Sequence, residues 1–134
     1  MKETKNPGTN EEIEKETYFF DTYALFEIIE GNPKYEKYSD CGIITTIFNL
    51  AELNYNLKKE MLKERADEYT SDYHNFISEV TLEDIKNAMN LKTKYRKLSI
   101  PDAIGYTVAK RIGVKFLTGD EDFKNFDNVE FVKK

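Results

Sequence analysis

Short runs of β-favouring residues alternate along this chain with segments of helical periodicity, and that alternation leaves few folds open. Thr17-Tyr18-Phe19-Phe20, Gly42-Ile43-Ile44-Thr45-Thr46, Val114-Lys115-Phe116-Leu117-Thr118 and Val129-Glu130-Phe131-Val132 read as four strands. Asp21-Thr22 is a good N-cap pair for a helix through Glu30, which Gly31-Asn32-Pro33 stops. A second helix runs from Ile47 to Leu57, with Phe48, Ala51 and Tyr55 on one side and Ile47, Leu50 and Leu57 nearby. The charged stretch from Lys58 to about Val80 suits one long or two short amphipathic helices. Thr81-Leu82-Glu83-Asp84 has the capping-box pattern and opens a helix to about Lys97. Ser99-Ile100-Pro101-Asp102 opens another, which ends at Gly113. Strands parted by helices of ten residues or more predict a three-layer α/β/α sandwich with a mainly parallel sheet. At 134 residues the chain holds one such domain, expected over 17–134 after a polar, flexible lead-in over 1–16 that Pro7-Gly8 interrupts.

The residues that are scarce narrow the chemistry. A single cysteine, Cys41, makes neither an internal disulfide nor a cysteine-rich zinc site, and it reads as structural. The one histidine, His74, leaves no HExxH site and counts against a Ser-His-Asp triad. Whatever reaction the chain performs falls to carboxylates. No apolar run approaches the roughly 20 residues of a membrane span, and the charged start lacks the apolar stretch of a secretory signal, so a cytoplasmic protein is expected. The net charge of −5 opposes binding of nucleic acid by the surface as a whole. Acids gathered in one place to hold metal ions would relieve that objection.

Several acids fall where a site would form. In open parallel sheets the binding crevice lies at the carboxyl ends of the strands. Asp21 directly follows the first strand, and Asp120 and Asp122 directly follow the third. Glu52 lies one to two turns into its helix between Ala51 and Leu53, and Asp102 stands in an apolar helix start. Each has an ordinary explanation as a cap, a favourable charge in a first helical turn, or a solvated turn. A shared site explains all of them together. Clustered carboxylates push one another toward the neutral form unless a cation intervenes. Oxygen ligands of this kind suit Mg²⁺ or Mn²⁺, and such ions activate water and stabilise charge on a phosphodiester.

These same segments resemble a known family. TYFFDTYALFEI is similar to the opening strand, Asp-Thr and helix of PIN domains, ITTIFNLAELNY to their second strand and Glu-bearing helix, and SIPDAIGYTVAKRIGVKFLTGDEDF to their Asp-bearing helix, strand and acidic loop. The likeness runs from about Thr17 to Val132. It implies the same three-layer fold, Mg²⁺- or Mn²⁺-dependent cleavage of RNA, frequent homodimers and, as in VapC-type toxins, an antitoxin partner. Asp21, Glu52 and Asp102 match the first three acids of the family; the fourth is Asp120 or Asp122. Thr22 and Thr118 match hydroxyls that support the acids. On this reading Asp21, Asp102 and one loop acid bind the principal ion, and Glu52 binds that ion or a second one, or orients water. The lead-in is longer than compact toxins carry. Lys58, Lys59, Lys63, Arg65, Lys94, Arg96, Lys97, Lys110 and Arg111 are candidates for a basic rim, against the plainer reading of solvated helix faces. The rival functions are a PIN-fold scaffold without activity, cleavage of DNA, and a receiver-type phosphoacceptor domain, which would want a lysine after a late strand where this chain has Lys115 within one.

Overall fold

The computed structural model describes residues 16–134; the lead-in expected over 1–16 lies, but for Glu16, outside them. Strand β1 (Thr17–Phe20) leads into helix α1 (Thr22–Glu30), a 3₁₀ turn over Pro33–Tyr38, β2 (Gly42–Ile44) and α2 (Ile47–Lys58). Helices α3 (Lys63–Tyr73), α4 (Leu82–Lys94) and α5 (Ile100–Ile112) follow, then β3 (Lys115–Thr118), a 3₁₀ turn over Glu121–Phe123 and β4 (Val129–Phe131). The four strands pair in the order β2-β1-β3-β4, every pair parallel. The order reverses between β1 and β3, because the chain leaves β1 toward one edge of the sheet and later returns on its other side.

Alternation along the strands sends side chains to two separate cores. Tyr18, Phe20 and Leu117 face one way, onto Leu25 of α1, Leu50, Leu53 and Leu57 of α2 and Ala66 of α3. Phe19 and Phe116 face the other way, onto Ala88 of α4 and Ala103, Ile104 and Val108 of α5. Two buried faces make the sheet the middle layer of a three-layer sandwich, and they are why its strands read as unbroken apolar runs. A fully buried Phe or Leu contributes roughly 1.5–3 kcal/mol, so Phe19, Phe20, Phe116 and Leu117, all sealed from solvent, anchor both layers. Helix α5 packs close to the sheet at Gly105, where an added Cβ would meet the Phe19 ring at 2.8 Å and Asn49 Oδ1 at 3.2 Å.

Four details differ from the sequence expectation. The second strand ends at Ile44; Thr45 makes an isolated parallel bridge to Ile77, and Thr46 caps α2. Helix α2 points Asn49, Leu50, Leu53 and Leu57 inward and leaves Ile47 and Tyr55 exposed, because its inner stripe starts two residues after its first apolar one. The 58–80 stretch resolves into α3 and a 3₁₀ turn, and α4 stops at Lys94 rather than near Lys97. Among the described residues, no helix is long and apolar enough to cross a membrane.

Candidate metal centre

Asp21, Asp102 and Asp120 are each held by the start of a helix or turn at the carboxyl edge of the sheet. Asp21 is the N-cap of α1: its Oδ1 accepts the Ala24 N–H at 2.9 Å, and its own backbone N–H donates to Leu117 O at 3.3 Å across to β3. Asp102 closes a capping box in α5, with Oδ2 accepting the Ser99 N–H at 3.1 Å while Ser99 Oγ accepts the Asp102 N–H at 3.1 Å. Asp120 caps the 3₁₀ turn after β3; its N–H donates to Thr118 Oγ1 at 3.0 Å and its Oδ1 accepts the Asp122 N–H at 2.9 Å. Glu52 stands half-buried one turn beyond Asn49 in α2.

The electrostatics show which acids meet. Burial drives the Asp21 carboxyl well above the ordinary range; hydrogen bonds from Thr118 and Ala24 pull it back in part, and charge on Asp102 and Asp120 adds to the rise. Burial likewise pushes Asp102 up to about 6, opposed by the Ser99 hydrogen bond and reinforced by Glu52 and Asp120. Asp21, Glu52, Asp102 and Asp120 thus share one neighbourhood, although they come from four elements. Asp122 is exposed and contributes its backbone N–H to Asp120. The cluster straddles β1 and β3, the point where the strand order reverses and where a crevice opens in sheets of this type.

The two threonines do different work. Thr118, fully buried, links Asp120 to Asp21. Thr22 ties α1 to α2: its hydroxyl donates to Asn49 O at 3.2 Å and accepts from Asn49 Nδ2 at 3.4 Å, while Asn49 Oδ1 accepts from Thr46 Oγ1 at 2.7 Å. Thr45 donates to Phe20 O at 3.0 Å, at the end of β1. This buried polar layer under the acids (Thr45, Thr46 and Asn49 with Thr22) escaped the sequence reading. Its one legible sign is a threonine at Thr46 with a polar residue three positions on, placed to cap α2.

Among the described residues, no ion pair reaches Asp21, Glu52, Asp102 or Asp120. Lys115 opens β3 at the end away from the acids, so the lysine a phosphoacceptor domain would want is not beside them. Of the basic rim, Lys58, Lys110 and Arg111 are engaged with Asp67, Asp127 and Asp84. Lys59 and Arg65 lie over Tyr55 and Tyr69. Among the described residues, no three His, Cys, Asp or Glu side chains are arranged to cage a metal ion by themselves. An oxygen-only, partly open donor set of this kind fits Mg²⁺ or Mn²⁺, which keep several waters and take one or two carboxylates with substrate oxygens.

The PIN domain family model matches residues 18–129, which is most of the chain and includes every element from β1 to the start of β4. The chain belongs to the PIN-domain family. No curated protein matches it by sequence. Among solved structures, VapC20 of Mycobacterium tuberculosis, a sarcin–ricin loop cleaving toxin, superposes with a TM-score of 0.70 at 17% identity, covering 87% of this chain and 99% of that one. A toxin–antitoxin complex from Klebsiella pneumoniae gives 0.67 at 20% identity, with 87% and 99% covered. VapBC2 of Rickettsia felis, solved with a promoter DNA fragment, gives 0.65 at 17% identity, with 87% and 98% covered. At these identities the likeness is one of fold, and it extends over nearly the whole length of each of those chains.

Proposed function

We propose that this PIN-domain protein is a divalent-metal-dependent endoribonuclease, the toxin member of a toxin–antitoxin pair acting in the cytoplasm. One observation carries the reading: four carboxylates from four separate elements gather at the switch point of a parallel sheet, with no lysine or arginine paired to them among the described residues. A fold does not keep like charges together in a crevice for stability, since each raises the others' cost of ionisation. Asp21, Asp102 and Asp120 would hold one Mg²⁺ or Mn²⁺, with Glu52 beside Asp102 holding a second ion or orienting the attacking water. When bound, the ion supplies Lewis-acid polarisation of a phosphodiester and activates water at neutral pH. Ser99 keeps the Asp102 carboxylate oriented through the capping box, and Thr118 keeps Asp21 and Asp120 in register. Asp122 shapes the turn through its N–H and is not a ligand.

The antitoxin and a homodimer are part of the same proposal. They draw support from toxin–antitoxin complexes among the structural relatives and from the exposed apolar side chains Ile47, Tyr55 and Leu62 on and after α2. The deciding experiment is Mn²⁺-dependent cleavage of single-stranded RNA, with single-stranded DNA alongside, by Asp21→Asn, Asp102→Asn, Asp120→Asn and Asp122→Asn. The first three should lose at least a hundredfold in rate while remaining folded by circular dichroism, and the fourth should stay within a few-fold of the parent. Undiminished cleavage by both Asp21→Asn and Asp102→Asn would refute the assignment. A protein that neither binds Mn²⁺ by calorimetry nor cuts RNA is the inactive scaffold instead.

A further inference from the structure

An acidic protein with an acidic cleft repels a polyanion, so a nuclease of this kind needs an uncommitted basic element close to the cleft. Five of the nine lysines and arginines of the expected basic rim are already engaged, as described above. Three that are not stand at the end of α4 and in the segment joining it to α5. Lys94, Arg96 and Lys97 are exposed and form no ion pair among the described residues.

This segment has a fixed shape. The Lys92 ammonium donates to Leu98 O at 2.6 Å and to Arg96 O at 3.1 Å, the Leu98 N–H donates to Tyr95 O at 3.1 Å, and Leu98 itself is buried. A short chain distance and a ring contact set it beside the acids. Lys97 precedes Ser99 by two residues, a backbone reach of about 7 Å, and Ser99 is hydrogen-bonded to Asp102. Tyr95 rests on Phe126 with ring centroids 4.8 Å apart, and Phe126 packs on Phe123 of the turn that Asp120 caps. Tyr95 is nonetheless 48% exposed, an anchored ring with open surface.

We infer that the Lys94–Lys97 segment is the RNA-binding element of this protein, and that it takes an unpaired strand: Lys94, Arg96 and Lys97 hold the phosphates while a base stacks on Tyr95, beside the Asp102 end of the cleft. Stacking on a fixed aromatic needs a base freed from a duplex, and backbone charge alone reads no sequence. The inference rests on the ribonuclease reading above.

The test is fluorescence anisotropy of a labelled short oligouridylate, and of a labelled blunt-ended RNA duplex, with the full chain in EDTA across a salt series. Replacing Lys94, Arg96 and Lys97 by Gln together should reduce the slope of log affinity against log salt by about 2, at about 0.7 for each phosphate contact to a single strand. Tyr95→Ala should weaken the oligouridylate roughly tenfold without changing that slope, and should leave the duplex unaffected. Binding and slope equal to the parent in both variants would overturn the inference. So would poly-glutamate competing as well as RNA with no effect of Tyr95→Ala, which would make the segment a seat for an acidic protein. Cleavage assays keep the two readings apart. RNA binding that needs this segment, in a protein that cuts nothing, defeats the nuclease reading alone. Cleavage at subsaturating RNA untouched by either variant defeats this one alone.

Discussion

At the scale of single residues, Asp21 and Asp102 are held at a cost to the fold. Both carboxyls titrate above their ordinary value of 3.8, Asp102 near 6. A group raised in the folded state binds more protons there than in the unfolded chain, so its contribution to stability is complete below pH 3.8 and is lost as pH rises toward 6. Asp102→Asn removes that loss and can keep the bond from the Ser99 N–H through its amide oxygen. In the absence of divalent ions it should therefore be more stable than the parent above pH 6, by about 1–3 kcal/mol, and about equal to it near pH 4. Urea unfolding in EDTA at both pH values measures this; a parent that gains stability between pH 4 and 6 relative to the variant would show the sign to be wrong. Function and stability oppose each other at this position, as expected where a site holds charge awaiting a partner.

At the scale of elements, α4 and α5 are joined by a different kind of carboxylate. Asp84 sits in the capping box of α4, and both its oxygens accept from Arg111 at the end of α5, at 2.8 Å each. The Arg111 hydrogen bonds hold its carboxyl below the ordinary range, against the effect of burial. Here the sign reverses: the stabilisation is present above pH 3.8 and disappears as pH falls below it. Arg111→Met would leave a buried carboxylate without its partner and should cost about 1–3 kcal/mol at pH 7, the range for a stranded buried group. It should cost little once Asp84 is protonated. Because α5 carries Asp102 at its other end, loss of metal-dependent activity beyond what the lower stability explains would show that this clamp also sets the helix in place. A variant as stable as the parent at pH 7 would remove the clamp from the account.

At the scale of the whole molecule, an ion held by the acids as proposed would link folding to its binding. A ligand that binds only the folded state at a hundred times its dissociation constant adds about 2.7 kcal/mol, worth roughly 5–15 °C in a domain of this size. Saturating Mn²⁺ should raise the melting temperature of the parent by several degrees at pH 7 and by much less in Asp21→Asn. An equal rise in both would place the ion elsewhere. Much of the architecture behind this linkage can be read from the chain. Patterning located β1 and α1 to within a residue, since Asp21, Gly31 and Pro33 act through purely local backbone chemistry. The capping boxes at Thr81 and Ser99 are likewise local and legible. The inward face of α2 was not, because Ile47 and Tyr55 are apolar yet exposed, and only the neighbours of a helix decide which stripe they cover.

The site divides in the same way. Residue types and their places, Asp21 after a strand and Glu52 and Asp102 in helices, made carboxylates the candidates for the proposed chemistry. The sequence left Asp120 and Asp122 indistinguishable, because two acids two residues apart at the end of a strand have equivalent local settings. The strand order β2-β1-β3-β4 brings the end of β3, with both acids, beside the end of β1. A 3₁₀ turn then keeps Asp120 among the other acids and sends Asp122 to solvent. Which strands become neighbours is settled by packing across long sequence separations, and so is the sharing of burial and charge among side chains that meet only when the chain is folded.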